Sequence, residues 1–248
     1  MTALPAFPGA TSVSRLSVYP DACQDGLAGG TPHMHTASAE GYVVVGGSGA
    51  LQTVDMSGFR ETELGPGSTV WFTPGTIHRA INRGELEVIV VMQNSGLPEA
   101  GDAVMTFPPD VVSEVARYRA AATLPVGEPE EVMADAVTRR RELAVEGFLH
   151  IAERVSSGDT TPLEEFYDHA VALVREAAPG WRETWEASVA RETRKTAEVL
   201  DALERGDGEH LRASAVLESP PSETSRWGMC GRLRTHDVAH PHVHSAGS

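Results

Sequence analysis

The sequence predicts two unlike halves: a β-barrel or jelly roll over residues 1–107, then an all-α half over 108–217. Two observations predict this. Up to residue 107, short β-type runs recur about every ten residues between Gly- and Pro-rich breaks, the texture of a sandwich or small barrel. After Pro108-Pro109 the apolar residues recur at helical spacing instead. A third observation gives the first half its interest. Its strand-like runs carry His33-Met34-His35, Glu40 and, much later, His78.

Residues 1–10 read as a loose arm, and 12–19 alternate as a first strand, with Val13, Leu16 and Val18 among polar neighbours. Residues 20–32 are rich in Gly and Pro and read as a loop. Strand-like pieces follow at 31–36, 40–45, 50–56, 59–64, 69–73, 78–82 and 86–93. Between them stand Gly46-Gly47-Ser48-Gly49, residues 55–58, Gly65-Pro66-Gly67 and Arg83-Gly84, all read as turns.

In the second half, 111–122 reads as a short helix. Residues 130–155 place Met133, Val137, Leu143, Ala144, Phe148, Ile151 and Val155 near one face, with Arg139-Arg140-Arg141 as part of a solvated one. Thr161-Pro162-Leu163-Glu164 is a helix start signal. Pro179-Gly180 interrupts that helix, and Trp181, Trp185, Val189, Val199, Leu200 and Leu203 mark the next. A last piece spans 209–217. Residues 218–248 are polar, contain several histidines and read as a poorly ordered tail.

Composition excludes some functions. The chain has 248 residues, 41% hydrophobic and 22% charged, enough for a sizeable core. Its formal net charge of −15 argues against nucleic acid and anionic membranes as partners. Lys195 is the only lysine, which excludes a Schiff-base lysine in the first half. Cys23 and Cys230 are far apart and form no CxxC, so they read as free thiols in a reducing cytosol. The N-terminus lacks a basic, then apolar, leader, and no apolar stretch is long enough to span a bilayer. The expected location is the cytoplasm.

Side chains two apart on a strand share a face, so His33 and His35 point the same way. Glu40 opens the next run, and His78 comes from a distant strand through the turn at Thr73-Pro74-Gly75. Imidazole and carboxylate suit one divalent transition metal: Fe, Mn, Zn, Ni or Cu. Four protein ligands on an octahedral ion leave positions open for a substrate. The bland alternative is a hydrogen-bonded polar interior without metal.

These segments resemble the two motifs of the cupins. Gly30-Thr31-Pro32-His33-Met34-His35, Glu40 and Gly47 follow the first. Gly67, Gly75, His78 and Asn82 follow the second. Thr73 stands where that family has Pro, and Leu27 where it has Gly; neither is a ligand position. The resemblance covers roughly residues 10–107 and implies a jelly-roll barrel holding a metal on His33, His35, Glu40 and His78. A cupin followed by helices, with arginine in place of lysine, is similar to actinobacterial cupins. The resemblance implies a metal-dependent protein acting on a small organic molecule, with an Fe(II)-type dioxygenase expected first. An isomerase or lyase is the alternative enzyme, and a small-molecule sensor the non-enzymatic one. A homodimer is also implied.

No catalytic residue beyond the metal ligands is legible. Tyr42, Gln52, Trp71, Met92 and Gln93 are candidate pocket residues. Arg60, Arg79 and Arg83 are candidate anion clamps, although rim arginines are usually solvated. His236, His240, His242 and His244 in the tail alternate in a way that could capture a metal or be incidental.

Overall fold

The structure, a computed structural model, describes residues 6–244. The first half contains β1 (Ser12–Val18), β2 (His33–His35), β3 (Glu40–Asp55), β4 (Gly58–Leu64), β5 (Thr69–Phe72), β6 (Ile77–Met92) and β7 (Ala103–Met105). The second contains α1 (Pro109–Val112), α2 (Val115–Ala122), α3 (Glu130–Ser156), α4 (Thr161–Val174), α5 (Ala178–Trp185) and α6 (Arg191–Glu204). The last two run on through a π-helical stretch at Glu186–Ala190. Then come β8 (Val216–Glu218), β9 (Arg226–Trp227), β10 (Gly231–Thr235) and β11 (His242–His244).

The long antiparallel pair β3/β6 makes the jelly roll. Near Glu40–Val43, β3 has β5 on one side and β6 on the other; β1, β10 and β9 then follow β6. Near Gly49–Asp55, β3 has β4 on one side and the start of β6 on the other; β2 and β7 then follow. One ladder thus feeds two sheets. Among the described residues no pairing joins the outer strands, so the roll is open-edged rather than a closed ring.

This revises the strand count read from sequence. The runs at 40–45 and 50–56 are one strand, and those at 78–82 and 86–93 are another. Gly46–Gly49 and Arg83-Gly84 are bulges, marked by register shifts between Val44 and Gly49. Gly47 has φ +70°, and a Cβ there would lie 2.1 Å from the Glu85 carbonyl oxygen. Asn82 holds the opposite side: its Oδ1 accepts from the N–H of Gly84 and of Leu86.

Period two decides what each face buries. Met34 and Ile77 turn outward into a core shared with Val104, Phe107, Ala144, Phe148, Ile151, Leu163 and Phe166. The helical layer therefore covers the outer face of the β4–β3–β6–β2–β7 sheet. Contact is close: a Cβ on Gly147 would sit 2.1 Å from the Thr106 carbonyl oxygen. The inner face carries Leu16, Val18, Tyr42, Val44, Phe72, Val88 and Val90. Among the described residues, no helix is long and apolar enough to cross a membrane.

Two expectations need correction. Arg139 is exposed, but Arg141 is buried and Arg140 half-buried, so the triplet is not one solvated face. Arg141 donates to the Gly29 carbonyl at 3.2 Å and lies 5.0 Å over the Tyr19 ring; Arg140 donates to the Gly228 carbonyl at 3.0 Å. Both pin loops against α3. The described part of 218–248 is not a loose tail either. β10 pairs along β1 from Ser14↔Thr235 to Val18↔Gly231, and β9 pairs with β10. Close approach makes this possible: at Gly231 a Cβ would lie 2.0 Å from the Ser17 carbonyl oxygen.

Candidate metal centre

β2, the start of β3 and the start of β6 converge on the inner face. His33 pairs in register with His78, which brings the second motif onto the first. One ligand atom from each of His33, His35, Glu40 and His78 lies within 4.8 Å of the others, and all four residues are buried.

Each imidazole is fixed by its other nitrogen. Nδ1 of His33 sits 2.8 Å from the Thr31 carbonyl, and that of His78 3.2 Å from the Thr76 carbonyl. Carbonyls only accept, so both Nδ1 atoms carry the proton and each Nε2 lone pair is left for the centre. His35 Nδ1 lies 2.7 Å from Asp102 Oδ1. Glu40 Oε2 stands 3.1 Å from Nε2 of both His35 and His78. Yet Glu40 Oε2 and His78 Nε2 have no hydrogen-bond partner of acceptable geometry. Both belong to the group of four ligand atoms that lie within 4.8 Å of one another. Buried polar atoms left so are costly, and a cation among these four atoms would satisfy them. The residues present therefore fit a divalent metal.

The electrostatics agree. Burial, then the neighbouring imidazoles, push His33 well below the usual histidine pKa. Burial would also depress His35, but Asp102 and Glu40 outweigh it and raise it to about 9. Burial acts to raise Glu40, yet the His35 and His78 imidazoles prevail and hold it far below the usual carboxylate range. Without metal, the site keeps an anionic carboxylate beside a protonated His35.

A cavity of about 260 Å³ opens over His33, His35 and Glu40. Leu16, Val90, Met92, Met229, Cys230 and Leu233 form much of its wall, and Ser12, Ser14, Glu99, Thr235 and His236 are also on its lining. Of the candidate pocket residues, Met92 lies on this wall. Tyr42 is fully buried on the Glu40 side, its hydroxyl 3.8 Å from Cys230 Sγ. Burial drives the Tyr42 pKa well above the usual value and the Cys230 thiol up to about 12, so both stay protonated. Gln52 is buried but donates to Glu61 Oε2 at 2.8 Å and is absent from the lining. Trp71 is 75% exposed, and Gln93 is exposed, accepting from the Ala39 N–H.

Sequence reading missed Asp102 and the wall from 229–236. Asp102 sits in a loop with no motif around it. Cys230 was visible only as a free thiol. Its neighbour Gly30 is the one available clue: a Cβ there would lie 2.7 Å from Cys230 Cα. In the tail, His236 Nδ1 lies 2.6 Å from the Ser219 carbonyl and His240 contacts Asp237. Among the described residues, the tail histidines form no metal-ligand cluster.

Comparison with known proteins bears on the β half. No curated protein matches the chain. A solved Klebsiella pneumoniae protein with a double-stranded β-helix domain is 19% identical, covering 34% of this chain and 66% of its own, at TM-score 0.28. WlaRA, a TDP-fucose-3,4-ketoisomerase from Campylobacter jejuni, is 10% identical over 33% and 58%, at 0.28. The Streptomyces nucleoside dehydratase Pac13 is 18% identical over 37% and 62%, at 0.27. The chain thus spans less than two thirds of the length of each. The family model for the cupin domain matches residues 24–92, the segment that contains all four converging side chains. Residues 24–92 thus form a cupin domain.

Proposed function

We propose that His33, His35, Glu40 and His78 hold one divalent transition metal, and that the protein is a metal-dependent oxygenase acting on a small organic molecule. The observation that carries this is the clustering of one ligand atom from each of the four buried residues within 4.8 Å, with Glu40 Oε2 and His78 Nε2 left without hydrogen-bond partners. Bound metal would supply Lewis-acid and redox chemistry. The chain's own residues do the rest. Thr31, Thr76 and Asp102 orient the imidazoles. Glu40 offsets charge. Met92, Leu16 and Val90 keep the approach apolar and limit water around the reacting groups.

A second reading is a Lewis-acid isomerase or lyase, which would use the same four residues on a metal and need no oxidant.

Metal content of protein purified without an affinity tag tests the site, and oxygen uptake separates the readings. The expected result is about one equivalent of metal, lost in His35→Ala while the circular dichroism spectrum is kept. Full metal retention in His35→Ala would place the metal elsewhere. Oxygen-dependent turnover supports the oxygenase; turnover without oxygen supports the isomerase or lyase.

A further inference from the structure

The cavity wall is unusual in its charges. Among the described residues, its lining contains no lysine or arginine. The arginines nearest in sequence to the motifs are committed elsewhere. Arg79 follows His78 on β6, so it points to the opposite face, where it is buried in an ion pair with Asp25. Arg83 is engaged by Glu61 and Glu63 at the surface. Arg60 lines a separate depression beside Trp71. On β10, Arg232 stacks 4.1 Å from the Trp227 ring and pairs with Glu130. The acids at the cavity are Glu40 and Glu99, and the one further imidazole, His236, is tied by Nδ1 to Ser219.

An anionic group entering this space would lose water and meet no countercharge on the wall beyond His35, which is already paired with the carboxylates of Glu40 and Asp102. An apolar body would instead replace water against Leu16, Val90, Met92, Met229 and Leu233. We infer that the cavity selects neutral, largely apolar small molecules over phosphorylated or carboxylated ones, and that Leu233 on β10 is a specificity-determining wall residue. Leu233 stands opposite Leu16 in the β1/β10 register, so its side chain shares the inward face. The segment before it is anchored beside the metal ligands: Thr31 N–H donates to the Met229 carbonyl at 2.9 Å, and Tyr19 N–H to that of Cys230 at 3.2 Å. One side of the wall thus comes from residues 229–233, far along the chain from His33, His35, Glu40 and His78. The inference rests on the proposed metal site only for which end of the cavity holds the reacting group.

The test uses the full-length protein with benzyl alcohol and benzyl phosphate as probes, and ligand-observed NMR as readout. The charge comparison is made on metal-stripped protein, so that phosphate–metal coordination cannot contribute. Benzyl alcohol is expected to bind about ten-fold or more tightly than benzyl phosphate. Leu233→Trp fills the cavity and is expected to weaken benzyl alcohol binding by about ten-fold, with the metal content of the loaded protein unchanged. Met229→Trp, which fills the same space from another backbone position, serves if Leu233→Trp does not fold. Equal or tighter binding of benzyl phosphate overturns the inference. So does wild-type benzyl alcohol binding in a folded, cavity-filled variant. A wild type that takes up no metal but still prefers benzyl alcohol overturns the proposed function and supports the cavity's selectivity.

Discussion

At the scale of single residues, the centre depends on a side chain outside the set of four ligands. Asp102 is fully buried and accepts from His35 Nδ1, so it sets both the orientation and the basicity of that imidazole. Asp102→Asn should keep the fold and lower metal affinity by roughly 10–100-fold, measured by competition with a chelator. Protons compete with metal at the same residue. His35 titrates near 9 in the metal-free protein, above the ordinary 6.5. Binding below that pH must expel its proton, so apparent metal affinity should rise with pH through neutrality and level off near 9. In metal-free protein the sign for stability is opposite: the contribution of protonated His35 is fully present below 6.5 and lost as pH climbs through about 9. A flat affinity profile over that window would mean that His35 is not a ligand. The four converging residues were legible in the sequence because their spacing is local within each motif. Asp102 was not, because a lone acid acquires this role only when β7 is paired beside β2. Trp71, a candidate pocket residue, alternates with Phe72, and Phe72 takes the inward face against His78 at 4.0 Å.

At the scale of elements, glycine was the misleading signal. The Gly46–Gly49 stretch has the composition of a turn, and sequence reading cut one strand into two there. A turn and a bulge ask for the same backbone freedom; what separates them is the partner strand, which local sequence does not show. Here β6 bends in step, with Glu85 at φ +50° opposite Gly47. The two long strands can therefore cross from one sheet to the other without breaking the ladder that carries Glu40 and His78. Gly47→Ala puts a methyl into the Glu85 backbone and should cost on the order of 3 kcal/mol, read from the urea midpoint. Gly67→Ala is the control. It also has positive φ, +89°, but no atom lies within 4 Å of the new Cβ. It should cost about 1 kcal/mol. Equal losses at the two sites would mean that backbone conformation alone, and not the close approach of β3 to β6, makes glycine necessary. The turn before His78 is secured differently: Tyr167 on α4 donates to the Gly75 carbonyl at 2.9 Å, and Gly75 N–H to that of His35 at 3.0 Å.

At the scale of the whole molecule, the two halves and the C-terminal segment share one structure around the site. Sequence periodicity separated β from α correctly, since period two and period 3.6 are properties of each segment alone. It could not show that 226–235 returns to pair with β1, because Gly231-Arg232-Leu233-Arg234-Thr235 is short and its partner lies more than 200 residues away. That return completes the wall over the metal ligands, so its loss should be felt at a distance. Gly231→Val drives a side chain into the Ser17 backbone, where even a Cβ would lie 2.0 Å from the carbonyl oxygen. β10 should then lift from β1, exposing Leu16 and opening the cavity beside His33. The melting temperature should fall by at least about 5 °C, and hydrogen exchange should speed up at Arg15, Ser17 and Tyr19, whose amides face β10, while α3 stays protected. Metal should still bind, because none of the four ligands belongs to the displaced strand, but water would reach it freely. A variant with native melting and unchanged exchange along β1 would mean that the C-terminal strand merely rests on the roll. Loss of protection in α3 as well would mean that strand and helices form a single cooperative unit around the site.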